Sequence, residues 1–278
     1  MLPRLAAESR LSTTKHRPAS LDRRYVGGLM DELFGDDLHA KRLESLTNSV
    51  AGVLHAASLA IHAIGAGYAA VAQRHAKHGT KQVDRWLSNP AFDVARLLAG
   101  WVEFVVGARE EIVLALDWTD FEKDDHTTLC AYLVTRHGRA TPLFWKTVTK
   151  STLEGKRTGY EHDLVEKLHG VLRPEIRVTL LADRGFGDQN LYELLGILGW
   201  DYVIRFRERI FVEDEYGERK PASARVGNGR AKMLRNVRVT SDRTAIPAVV
   251  VAHAKGMKES WCLATSLSDR KAQEVVTL

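Results

Sequence analysis

The sequence predicts a mixed α/β protein: a β-β-β-α-β-α-β core, preceded by an all-α unit and followed by a β-rich segment. Three observations carry that prediction. Helix formers dominate residues 38–98, where strand signals are nearly absent. Short apolar runs separated by turn residues then take over, alternating with helical patterns from residue 160 onward. Beyond Glu208 the pattern becomes irregular strands with turns at Tyr216-Gly217, at Gly227-Asn228-Gly229 and at Lys255-Gly256, with no clear helix until after Ser268.

Residues 1–35 mix Arg, Ser, Pro and Gly with little period, which predicts a loosely ordered arm with a short helix over 29–34. Residues 36–108 form the helical unit. Within it, 67–73, the bridge RHAKHG and then TKQVDRWL predict two helices joined by a turn at Gly79, with Thr80 as the second N-cap. The core occupies 109–207. EIVLALD at 111–117 is an apolar strand, and strands over 127–135 and 140–148 flank the turn signal RHGR. YEHDLVEKLHGVL, 160–172, places Leu164, Val165, Leu168 and Leu172 on one helical face. A strand over 176–183, a helix over 187–199 and a strand over 200–206 complete the order. Short loops make the first three strands an antiparallel meander, and each later helix is a crossover that returns the chain parallel to the sheet. The strands 111–117 and 176–182 both lack alternation, as central strands do, so they are expected to be neighbours. Residues 208–266 are read as a β-rich insertion, and 267–278 as the start of a closing helix.

At 278 residues, with 45% hydrophobic and 27% charged positions, the chain has an ordinary globular composition and room for two units. Cys130 and Cys262 lie far apart in apolar runs, which offers neither a metal spacing nor a disulfide framework and fits a reducing cytoplasm. The N-terminus lacks the apolar stretch of a secretory signal. Residues 49–72 carry no Lys, Arg, Asp or Glu, but they are Ala-rich and interrupted by His55, His62, Gly65 and Gly67, so no membrane span is expected. His55 and His62, seven apart, are expected to be satisfied core histidines.

If the two central strands are parallel neighbours, Asp117 and Asp183 sit at their carboxyl ends, about 4.8 Å apart by strand spacing. Two carboxylates so close repel unless divalent cations lie between them, and all-oxygen ligands suit two Mg²⁺ or Mn²⁺ ions. One ion would activate a water or 3′-hydroxyl and the other stabilise the leaving oxygen. Arg184 would meet phosphate, and Gly185 would allow a tight turn. The alternative is that Asp183 or Asp188 simply caps the following helix. Asp120, Asp124 and Asp125 read as solvated turn residues.

Asp117 in LALDWTDF, the meander, Asp183 in ADRGF and the β-rich insertion together resemble the insertion-sequence transposases of the DDE class, in the group with a large β insertion. The resemblance implies an RNase H-like core, Asp117 and Asp183 as the first two catalytic and metal-binding carboxylates, and metal-dependent cleavage and strand transfer at transposon ends. It implies double-stranded DNA as partner and a homodimer on that DNA. By the same likeness Trp261, in WCLAT, matches a tryptophan on which a flipped base stacks; otherwise it is a buried strand residue. The family's third carboxylate, a Glu in a Tyr-x-x-Arg-x-x-x-Glu-x6-Lys signature, has no counterpart before Leu278, and Glu274 lacks that context. A C-terminally truncated transposase is therefore expected, weak or inactive in cleavage, or else a DNA-binding remnant that occupies element ends.

The net charge of +5 is locally concentrated. Arg74, Lys77, His78, Lys81 and Arg85 would share one helical face if Gly79 did not break the helix; with the break, Lys81 and Arg85 fall on the second helix of a helix-turn-helix-like pair. Between Arg219 and Arg243 there are eight Lys or Arg against one acid, and Lys232, Arg235 and Arg238 of this patch are expected to contact DNA phosphates.

Overall fold

The computed structural model describes residues 23–90, 92–135, 139–227 and 230–278. The first 22 residues of the expected arm, and the turns expected at Gly138 and at Asn228-Gly229, lie at least in part outside the described residues. The chain divides into two compact units, Met1–Leu97 and Leu98–Leu278.

The first unit holds α1 (Arg23–Phe34), α2 (Ala40–Ala56), α3 (Ile61–Val71) and α4 (Ala76–Leu87). Helix α1 begins earlier than the short helix expected from sequence. Its Arg23 Nε donates to Asn48 Oδ1 of α2 at 2.6 Å, which ties a buried amide to the neighbouring helix. Small residues explain the uncharged stretch 49–72. A Cβ added at Gly67 would lie 2.4 Å from the Gly52 carbonyl oxygen, and one at Gly79 would lie 2.1 Å from that of Gly65, so the helices pack backbone to backbone. The two expected helices are present as α3 and α4, with Lys81 and Arg85 on the second, but the turn between them falls at 72–75 and not at Gly79. Gly79 is buried inside a continuous α4, and Thr80, expected as an N-cap, instead donates its hydroxyl to the Ala76 carbonyl at 3.2 Å. The close approach offsets the roughly 1 kcal/mol that a mid-helix glycine costs. Among the described residues no single helix is long and apolar enough to cross a membrane, and α2 and α3 meet at a 106° bend.

Helix α5 (Val94–Val106) crosses the division between the units. The second unit continues with β1 (Glu111–Phe121), β2 (His126–Leu133), β3 (Thr141–Thr149), α6 (Arg157–Val171), β4 (Arg177–Ala182), α7 (Gln189–Ile197) and β5 (Asp201–Phe206). Then come β6 (Phe211–Glu213), β7 (Arg219–Pro221), β8 (Arg230–Val239), β9 (Thr244–His253), β10 (Trp261–Thr265) and α8 (Ala272–Val276). The strands form one mixed sheet in the order β3-β2-β1-β4-β5-β10-β9-β8-β6-β7. Among the described strands only β1, β4 and β5 run parallel, joined by connections that carry the crossover helices; the other pairings are antiparallel. The β-rich segment thus continues the same sheet, because β10 pairs with the free edge of β5.

One face of the sheet carries the main core, where Leu114, Leu180 and Ile204 meet Leu164 and Leu168 of α6 and Leu191 of α7. A smaller core forms around Val203, Val250, Leu263 and Val275 of α8. Period-2 alternation sends successive strand residues to these two layers, as Leu180 of the main core and Leu181 against the smaller one illustrate.

Candidate active site and nucleic-acid interface

Strands β1 and β4 are parallel neighbours, with Leu116 opposite Ala182. The next residue in each segment is an aspartate, so Asp117 and Asp183 lie side by side where the β1–β4 pairing stops; Asp183 directly follows β4 as expected, whereas Asp117 is inside β1, which continues through Phe121 on its pairing with β2, and is not at the carboxyl end that the sequence suggests. Burial raises the Asp117 pKa, the hydrogen bond from the Trp118 backbone opposes it, and the Asp183 charge adds to the rise. Asp183 Oδ1 accepts from the Gly185 amide at 2.7 Å, so the residue also caps the short 3-10 turn Arg184–Phe186. Gly185 has no positive φ; an added Cβ would come within 3.0 Å of that same carboxylate oxygen. Asp188 caps α7 by accepting from the Asn190 amide at 3.2 Å.

A cleft of about 340 Å³ opens over the pair, lined among others by Asp117, Asp183, Arg205, Trp261, Val275 and Val276. Trp261 is 42% exposed, so it is not the buried strand residue that aromatic preference alone suggests. The Arg205 guanidinium lies 5.8 Å from its ring centroid. Both aspartates are hard oxygen donors suited to Mg²⁺ or Mn²⁺. Among the described residues no group of three His, Cys, Asp or Glu converges as a metal cluster, and Glu274 is spent locally, accepting from the Lys271 amide at 3.1 Å in a capping box.

Several expected roles need correction. His55 and His62 are exposed and sit on different helices, so neither is a core histidine. Asp120 lies in β1 and not in a loop, and the Lys150 ammonium 2.8 Å away lowers its pKa. Asp125 is an anchored residue whose carboxylate accepts from the Ser151 amide and hydroxyl at 3.0 and 2.6 Å.

The basic residues fall into two sets. Lys77, Lys81 and Arg85 lie on the uninterrupted α4 at i, i+4 and i+8, all exposed, with Arg74 just ahead of the helix. On β8, Lys232, Arg235 and Arg238 are exposed. Arg235 Nε donates to the Ser268 carbonyl at 2.7 Å, and Arg238 faces Glu213 at 3.5 Å. Arg225, counted in the same dense run, is buried between Asp214 and Glu218, each 2.8 Å away, and so is structural. Arg184 sits beside Asp183 and meets Glu259 at 3.6 Å.

One residue escaped the sequence reading. Glu161 of α6 is 3% exposed and accepts from Trp118 Nε1 at 2.8 Å, next to Asp117 on β1. Burial raises its pKa. The signal was present: Glu161, Leu164, Val165 and Leu168 follow i, i+3, i+4 and i+7, which places the carboxylate on the apolar face.

No protein-family model and no curated protein matches the chain. Similar solved structures include the Argonaute of Marinitoga piezophila with a 5′-OH guide RNA, at 11% identity and a TM-score of 0.24. The match covers 70% of this chain and 31% of that one. The same Argonaute with guide RNA and target DNA gives 11% identity and a TM-score of 0.24 over 74% of this chain and 30% of the other. The chain thus spans about a third of the proteins it matches.

Proposed function

We propose that the Asp117–Asp183 cleft carries out metal-dependent phosphodiester cleavage and strand transfer on DNA, as a DDE-type insertion-sequence transposase built on an RNase H-like fold. The observation that carries this reading is the β1–β4 register, with Leu116 opposite Ala182, which sets two aspartates side by side where that pairing stops. The strand order β3-β2-β1-β4-β5, parallel only at its last three strands, agrees with such a core. Two Mg²⁺ or Mn²⁺ ions held by Asp117 and Asp183 would supply charge stabilisation and an acidified water. The residues themselves position the cleft: Gly185 fixes the Asp183 carboxylate, and Arg184 and Arg205 face an incoming phosphate. The exposed face of α4 would hold duplex DNA, with two copies acting on paired ends.

A supercoiled plasmid carrying the DNA that flanks the gene, incubated with Mn²⁺, tests the assignment. Asp183→Asn and Asp117→Asn should each reduce nicking at least about a hundredfold, the scale of the several kcal/mol that metal charge stabilisation supplies. Equal nicking by Asp183→Asn would sink the reading, and preferential cleavage of RNA-containing duplexes would reassign the site to a ribonuclease. A second reading, DNA binding without cleavage, draws on the exposed Lys77, Lys81 and Arg85 of α4. It predicts salt-sensitive binding and no metal-dependent nicking.

A further inference from the structure

A second cleft, of about 410 Å³, adjoins the first and shares Arg205 with it. Four arginines line it: Arg184 from the 3-10 turn, Arg205 from β5, and Arg207 and Arg209 from the loop that follows. Two carboxylates stand against them, Glu208 and Glu259. Glu208 is held in the wall, where its Oε2 accepts from the Ser260 amide at 3.3 Å. Ser260 is itself buried, and its hydroxyl lies 2.9 Å from His253 Nδ1. That wall is therefore fixed, whereas Glu259 is about half exposed and reaches into the cleft from the β9–β10 connection.

Glu259 Oε2 lies 3.2 Å from Arg205 Nη2 and 3.6 Å from Arg184 Nη1. One carboxylate oxygen, at 3.2 and 3.6 Å, uses little of what the two planar, multi-donor guanidinium groups of Arg184 and Arg205 offer. A phosphate has more charge and more acceptor oxygens, and binds arginine bidentately. Exposed ion pairs of the Glu259 kind contribute little, so a phosphate can replace one at small cost. The position also fits. Arg184 follows Asp183 directly, and Arg205 lies over Trp261, so an anion seated here would lie beside the carboxylate cleft.

We propose that Glu259 is an internal stand-in for a phosphate group: it occupies the arginine cleft in the free chain and is displaced when a phosphate enters. The phosphate belongs either to a nucleic-acid strand or to a free anion. For the strand, the inference rests on the nucleic-acid reading above, but it does not depend on cleavage.

Binding is measured in EDTA, where no cleavage occurs, by anisotropy of a labelled duplex oligonucleotide and separately by titration with inorganic phosphate read from tryptophan fluorescence. Glu259→Gln should bind one of these ligands about three- to fivefold more tightly at low salt, the range of an exposed ion pair. The gain should vanish near ~0.5 M salt, where such pairs are screened. Glu215→Gln removes the same charge from an exposed site outside this cleft and should leave affinity unchanged. Arg209→Ala should weaken binding to Glu259→Gln and lower its salt slope by about one. A gain confined to the oligonucleotide identifies a strand phosphate, and a gain confined to inorganic phosphate identifies a free anion and removes support for the nucleic-acid reading. A properly folded Glu259→Gln with no gain for either ligand, or a Glu215→Gln with an equal gain, overturns the proposal. Loss of the Asp183 effect on nicking, by contrast, would refute the cleavage reading and leave this result standing.

Discussion

Gly79→Ala separates close helix packing from helix propensity, because the two push stability in opposite directions. The new methyl would lie 2.1 Å from the Gly65 carbonyl oxygen and 3.0 Å from Ala69 Cβ. An ordinary C···O contact is about 3.3 Å, so α3 and α4 must part by roughly 1 Å. Overpacking of this kind costs about 1–3 kcal/mol, and contact with rigid backbone points to the upper end. Propensity returns up to about 1 kcal/mol, which leaves a net loss of about 1–2 kcal/mol. Gly28→Ala, in α1 of the same unit with nothing within 4 Å of its added Cβ, should gain about 0.5–1 kcal/mol. With a urea slope of about 1–3 kcal/mol/M, the two variants should bracket the wild-type midpoint, read by circular dichroism, with Gly79→Ala lower by about 1 M. Amide hydrogen exchange should locate the loss in α3 and α4. A Gly79→Ala protein as stable as Gly28→Ala would refute backbone-to-backbone packing at that glycine.

Two further predictions address charge. Lys81→Ala with Arg85→Ala should reduce the salt dependence of duplex binding by about two in log–log slope, close to 0.9 for each phosphate that the protein no longer neutralises; an unchanged slope would remove α4 from the interface. Burial raises Glu161 above its ordinary 4.5, so the stability linked to its protonated form is present below 4.5 and lost as pH rises through the raised value. Glu161→Gln keeps an acceptor for Trp118 without the charge, so its stability relative to wild type should improve from pH 4 to pH 7 in paired urea titrations, and a pH-independent difference would show that the carboxyl does not titrate differently on folding.

How much was legible in the sequence depends on whether the deciding partner was local. The apolar runs of β1, β4 and β5 gave themselves away because each must be covered, but β1 continues through Trp118, Thr119, Asp120 and Phe121, a stretch half polar and half aromatic that pairs with β2. Past Trp118, which still packs against the core, the hairpin extends on its ladder of backbone hydrogen bonds, and hydropathy cannot see that. Gly79 failed in the opposite direction: a local rule ended the helix where a contact with Gly65 sustains it. The neighbouring aspartates were legible because parallel crossover strands share a direction. The arginine cleft was not, since it depends on which strand takes the open edge of β5.

That strand is β10, which pairs antiparallel with β5, Leu263 opposite Arg205. The direction decides what the site contains. Strands β4 and β5 run parallel to β1 and end close to the level of Asp117 on that longer strand, so an antiparallel neighbour of β5 must begin there. Trp261 is the first residue of β10, and Glu259 and Ser260 lie just before it. All three therefore arrive at the level of Asp117 and Asp183. A parallel β10 would have placed them at the far end of the sheet, about 13–17 Å away over a strand of this length. The indole, the exposed carboxylate and the arginine cleft thus share one topological cause, and a substitution that unpaired β10 from β5 would disperse them together while leaving the Asp117–Asp183 neighbourhood on β1 and β4 intact.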